Sequence, residues 1–100
     1  MKHFVVEIIY KAPIDKIEAV IEKHRDFLDE GYKNGMLLMS GPQVPRIGGI
    51  VIARAESMEA LAEYFSNDPY LAEGLAHYQY IEFNPVKNDK TISDWIGTKK

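Results

Sequence analysis

Apolar and polar positions alternate through His3–Tyr10 (HFVVEIIY). Phe4, Val6, Ile8 and Tyr10 share one apolar face, and His3, Val5, Glu7 and Ile9 share a mixed one. That period of two predicts a strand. The period then changes. Pro13 suits a first helical turn, Asp15 suits its positive end, and Ile14, Ile17, Ile21, His24 and Leu28 recur at helical spacing. This helix ends near Leu28 or runs to Lys33, with Gly31 and Asn34-Gly35 as stop and turn signals. Met36–Ser40 (MLLMS) predicts a short strand, apolar on both sides, that Gly41-Pro42 terminates. A loop with two prolines and Gly48-Gly49 leads to a third strand, Ile50–Ala55 (IVIARA).

Ser57 is a good N-cap for a second long helix. Met58, Leu61 and Phe65 fall on its buried face, and Glu59 and Glu63 fall outside. Asn67-Asp68-Pro69 breaks it. Asp68 then caps a short helix that starts at Pro69 and includes Leu71 and Leu75. His77–Phe83 (HYQYIEF) is the fourth strand. Asn84–Lys100 is polar apart from Ile92, Trp95 and Ile96, and reads as an arm ordered by packing Trp95. The expected organisation is one domain over residues 1–85 with a C-terminal extension, residues 86–100.

The order β-α-β-β-α-β is that of the ferredoxin-like α+β fold, with an antiparallel four-stranded sheet and both helices on one face. One face is thereby left uncovered. Yet strands one to three carry apolar residues on both sides, as Ile50 and Ile52 oppose Val51 and Ala53. An uncovered apolar sheet needs a lid. A second copy placed sheet to sheet is the simplest one, so a homodimer through the sheet faces is expected.

Net charge is −3, with acidic and basic residues interspersed. Without a basic stripe, nucleic acid is a poor partner. No apolar run approaches the roughly 20 residues that span a bilayer, so no membrane partner is expected. The opening segment reads as a strand rather than a signal peptide, which makes the cytoplasm the default compartment. The chain has no cysteine, which excludes disulfides, thiolate metal sites and cysteine nucleophiles. Gly48-Gly49 lacks the helix and lysine of a phosphate loop. His3 and His77 approach each other if the outer strands pair, but a clear third metal ligand is missing. Neither a metal nor a cofactor is implied.

The segment His24–Arg46 carries the chemistry. His24 lies on the apolar stripe of its helix. It reads either as a core histidine satisfied by a backbone carbonyl or as a neutral base for proton transfer. Asp68, directly before proline, reads as a helix cap. Ser40, Gly41 and Pro42 could line a pocket, the Ser40 hydroxyl reaching a ligand or His24, or could form an ordinary strand-end turn. Arg46 could clamp an anionic substrate or be a plain surface charge. Arg25 falls on a different helical face, and Tyr10, Tyr78 and Tyr80 read as sheet packing. No serine sits in a nucleophile elbow.

The helix His24-x-x-Phe27-Leu28, the strand end Leu38-Met39-Ser40-Gly41-Pro42, Gly48-Gly49, and Asn67-Asp68-Pro69-Tyr70 together resemble the YciI-like (YCII-related) domain family across residues 3–85. The resemblance implies a dimeric α/β barrel. It also implies a histidine–aspartate pair in a cleft, which falls on His24 and Asp68; Asp68 would then orient the imidazole, one oxygen capping its helix while the other faces His24. One relative is a dehydrochlorinase of chlorinated hydroquinones. The loop from Gln43 to Gly49 is longer than in many members. Two function classes follow. One is a small cofactor-independent enzyme in which His24 and Asp68 transfer protons, in elimination or isomerisation, on a small cyclic or aromatic molecule. The other is a non-catalytic small-ligand-binding or accessory dimerisation module.

Overall fold

Four strands, β1 (Lys2–Tyr10), β2 (Leu37–Pro42), β3 (Gly48–Ala55) and β4 (Ala76–Phe83), form one antiparallel sheet in the order β2-β3-β1-β4. The computed structural model describes residues 1–97, so the last part of the extension expected over 86–100 lies outside the described residues. Helices α1 (Ile14–Ala19), α2 (Ile21–Lys33), α3 (Met58–Phe65) and α4 (Pro69–Ala72) connect the strands. This is the ferredoxin-like α+β arrangement.

The period-two face of β1 makes the core. Phe4, Val6 and Ile8 are buried together with Val51 and Ala53 of β3, Ile17 of α1, Leu28 of α2, and Leu61 and Phe65 of α3. Apart from Ala53, each such side chain contributes roughly 1.5–3 kcal/mol by leaving water. Ser57 caps α3 by accepting from the Ala60 N–H at 3.0 Å. Met58, expected on the buried face, is instead exposed. It is the first residue of α3, nearly a full turn before the stripe meets the sheet at Leu61.

Several boundaries differ from expectation. Helix α4 ends at Ala72, so Leu75, expected within it, lies outside. The first long helix is two. Val20, at φ −118° and ψ 12°, interrupts it, and α2 then runs the longer course to Lys33. Strand β2 continues through Gly41 and Pro42 rather than stopping before them. It is an edge strand, where a proline costs no ladder bond. Strand β3 starts at Gly48, because Gly48 pairs with Ile9. A Cβ on Gly48 would lie 2.0 Å from the Ile8 carbonyl oxygen, so only glycine permits that approach. The Tyr10 N–H donates to the Ile47 carbonyl at 3.2 Å, and the Gln43 N–H donates to the Gly48 carbonyl at 2.7 Å. These bonds hold the connection that carries Arg46 against β1.

Strands β1 and β4 do pair, but their register sets His3 opposite Phe83 and His77 opposite Ile9. The two histidines therefore stand at opposite ends of the pair, so the metal approach considered for them does not form. On the sheet face away from the helices, Val5 is in register with Ile52 and Ile81, and Met39 with Ile52. Met39, Ile9 and Ile81 are exposed there. The C-terminal segment covers one corner of that face. A 3-10 turn (Lys90–Ile92) leads into α5 (Ser93–Ile96). Trp95 meets the His3 ring edge-on and lies against the Arg54 guanidinium. Its indole N–H donates to the Gly35 carbonyl at 3.0 Å, and Arg54 Nη1 donates to the Trp95 carbonyl at 2.6 Å. Among the described residues, no helix is long and apolar enough to cross a membrane.

Burial lowers the His3 pKa. A hydrogen bond to the Ile96 backbone partly offsets this, and the N-terminal charge and Arg54 lower it further. Its Nε2 is buried without a partner among the described residues. Because the folded value lies below the ordinary 6.5, the stability that neutral His3 supplies is complete above that pH. It is lost as pH falls through the folded value. Trp95 is the sole tryptophan, so its fluorescence reports the docking of α5. Emission should shift to the red on acidification below about pH 6, and His3→Phe should abolish that step. A wild-type spectrum unchanged to about pH 4 would contradict this.

Candidate active site

His24 is buried on α2 in line with Leu28 and, across the break at Val20, with Ile17. The α3–α4 junction brings Asp68 beneath it. Asp68 is fully buried, and its carboxylate receives three donors. The His24 Nδ1–H lies between both oxygens, at 2.8 Å from Oδ1 and 3.0 Å from Oδ2. The Tyr70 backbone N–H donates to Oδ1 at 3.2 Å, and the Tyr78 hydroxyl donates to Oδ2. Asp68 is thus cap and imidazole partner at once. The expected division, one oxygen for each role, is only partly kept, since His24 addresses both.

A carboxylate only accepts, so Nδ1 carries the proton, and the neutral ring keeps its lone pair on Nε2. The Tyr70 ring stacks on the imidazole at 3.9 Å and 11°. Burial, first, raises the Tyr70 pKa to about 12, aided by Tyr10 and Asp68 and opposed by Arg46. Burial, then the Asp68 charge, pushes the Tyr78 hydroxyl far up. It stays protonated and remains a donor. Burial and Asp68 also raise Tyr80.

The His24 ring opens on a cleft of about 500 Å³. Ser40, Gly41 and Pro42 at the end of β2, Arg46, and Ile50 and Val51 of β3 line one side. Glu18, Ile21, Glu22, Arg25 and Leu28 line the other, with Ile8, Tyr10 and Tyr70 between. Of the six residues singled out from the sequence, five line this cleft and Asp68 lies behind the fifth, His24. Ser40 does not bond His24. Its hydroxyl pairs with the Tyr32 hydroxyl at 2.6 Å. Arg25 is exposed as expected, yet stands at the rim, 3.3 Å from Glu22. Arg46 pairs with Glu18, and that pairing, then the neighbouring Tyr10, raises its pKa further.

Sequence reasoning missed Tyr70 and Tyr78 as partners of the pair and Glu18 as the partner of Arg46. The position of Tyr70 immediately after Asp68-Pro69 was an available signal for one. For Tyr78 the signal was its inward parity on β4, in register with Ile8. Nothing local pointed to Glu18.

A profile of the YCII-related domain matches residues 1–84. The chain belongs to the YCII-related family. A solved member of similar structure is the 5-chloro-2-hydroxyhydroquinone dehydrochlorinase of Burkholderia phenoliruptrix AC1100, in complex with 2,5-dihydroxybenzoquinone. The likeness has a TM-score of 0.54 at 20% identity and covers 87% of this chain and 97% of that one. It establishes the shared fold. Among curated proteins, the comparison finds no match.

In this YCII-related domain the Tyr78 hydroxyl serves a carboxylate that water cannot reach. Tyr78→Phe keeps the ring and removes the donor. It should lower unfolding stability by about 1–3 kcal/mol, measured by urea denaturation, without changing the circular dichroism of the native state. An unchanged midpoint would contradict the bond.

Proposed function

We propose that the protein is a cofactor-independent acid–base enzyme in which His24 moves a proton and Asp68 orients it. One observation carries the reading: a buried carboxylate fixes the Nδ1–H tautomer of a ring that opens on a cleft. Nε2 then takes a proton from a carbon beside a carbonyl or from a ring hydroxyl, and the electron pair moves into the ring system. Returning the proton at another position completes an isomerisation. Departure of a leaving group with its electron pair completes an elimination. General acid–base help of this kind is worth roughly 10²–10⁴ in rate.

The substrate class is a small cyclic or aromatic molecule. The apolar cleft walls Ile8, Ile21, Leu28 and Val51 support that, as does the cyclic ligand of the Burkholderia relative. Ser40, Gly41, Pro42 and Arg46 would contact the substrate. The working unit is a homodimer joined through the open sheet faces, where Met39, Ile9 and Ile81 are exposed. Dimerisation removes that surface from water.

The test uses 2,5-dihydroxybenzoquinone in D₂O, with exchange of its ring protons followed by NMR. Wild type should accelerate exchange, and His24→Gln, which retains an N–H for Asp68, should lose at least about 100-fold. Light scattering on both samples should give twice the 11.4 kDa chain mass. Equal exchange in both samples would favour the non-catalytic binding module. A monomer mass would remove the dimer from the account.

A further inference from the structure

The mouth of the cleft is crossed by an ion pair that the proton-transfer reading does not use. Glu18 reaches Arg46 from the exposed side of α1, and both line the cleft that His24 opens on. The two are not equivalent. Arg46 interacts with Tyr10 and Tyr70, which line the same cleft, and Tyr70 in turn stacks on His24. Its side chain is 34% exposed and that of Glu18 is 49%. Arg46 is thus the anchored member and Glu18 the movable one.

We propose that Glu18 occupies, in the resting protein, the place of a ligand's carboxylate, and that the cleft takes a small cyclic or aromatic carboxylate whose acid group displaces Glu18 from Arg46. This deepens the preceding section and rests on its placement of the ligand cleft. The class follows from the site. A guanidinium fork matches a carboxylate better than a neutral group, and the group already held there is a carboxylate. An exposed ion pair contributes little to stability, so exchanging one carboxylate for another is cheap. The ligand's apolar body would lie over Ile21 and Val51. Its acid group would sit beside Tyr70, the ring that covers the imidazole.

The proposal requires opposite effects from the two partners. Sodium benzoate and the isosteric neutral benzamide are titrated into wild type, Arg46→Gln and Glu18→Gln, with affinities read from amide NMR shifts. Wild type should bind benzoate about tenfold more tightly than benzamide. Arg46→Gln should erase the preference. Glu18→Gln should tighten benzoate severalfold and leave benzamide unchanged. No binding of benzoate at tens of millimolar, equal affinity for both probes, or a Glu18→Gln variant that binds benzoate no better than wild type would each overturn it. The exchange assay on the same wild-type sample separates the two readings. Exchange without benzoate preference removes only the carboxylate class. Preference without exchange removes only the proton transfer.

Discussion

A carboxylate with no access to water must be met by donors, and Asp68 is met by three from three elements. His24 comes from α2, the Tyr70 N–H from the first turn of α4, and Tyr78 from β4. Desolvating such a charge costs several kcal/mol, and removing a partner leaves that cost unopposed. The carboxylate therefore ties the helix layer to the sheet, and the same bonds decide which nitrogen of His24 holds a proton. Stability and candidate chemistry meet in one side chain. A substitution at Asp68 would perturb both, whereas Nε2 is left to the cleft.

The rest of the structure serves that placement. The period-two face of β1 sets the core on which α2 lies. The close approach at Gly48 draws the β2–β3 connection onto β1, which brings Arg46 to the cleft. At the far corner of the outer face, the C-terminal segment packs Trp95 over His3 and Arg54. It leaves Met39 and Ile81 exposed. The helix face of the sheet thus carries the candidate site, and the other face carries the exposed apolar surface proposed for a second copy.

Much of this was legible in the sequence, because binary pattern determines burial. The strand faces, the Ser57 and Asp68 caps and the four-strand order follow from periodicity and local chemistry. The break at Val20 was not legible, since the apolar stripe continues across it. The continuation of β2 through Gly41-Pro42 was hidden because a proline is a breaker only where a ladder bond is needed, and edge position is a tertiary property. His24 and Asp68 could be paired only through the family resemblance, beside the simpler roles of core histidine and helix cap. Forty-four residues separate them, and no local rule joins an α2 stripe to an α4 cap. Tyr78 and Glu18 escaped for the same reason. Each acquires its role from an element distant in sequence.

The central claim is that Asp68 holds His24 as the Nδ1–H tautomer with the lone pair on Nε2. Nitrogen-15 NMR of the His24 ring at neutral pH, in wild type and Asp68→Asn, tests it most directly. The account predicts a protonated Nδ1 and an unprotonated Nε2 in wild type, and loss of that preference in Asp68→Asn. A proton on Nε2 in wild type, or a tautomer indifferent to Asp68→Asn, would contradict it.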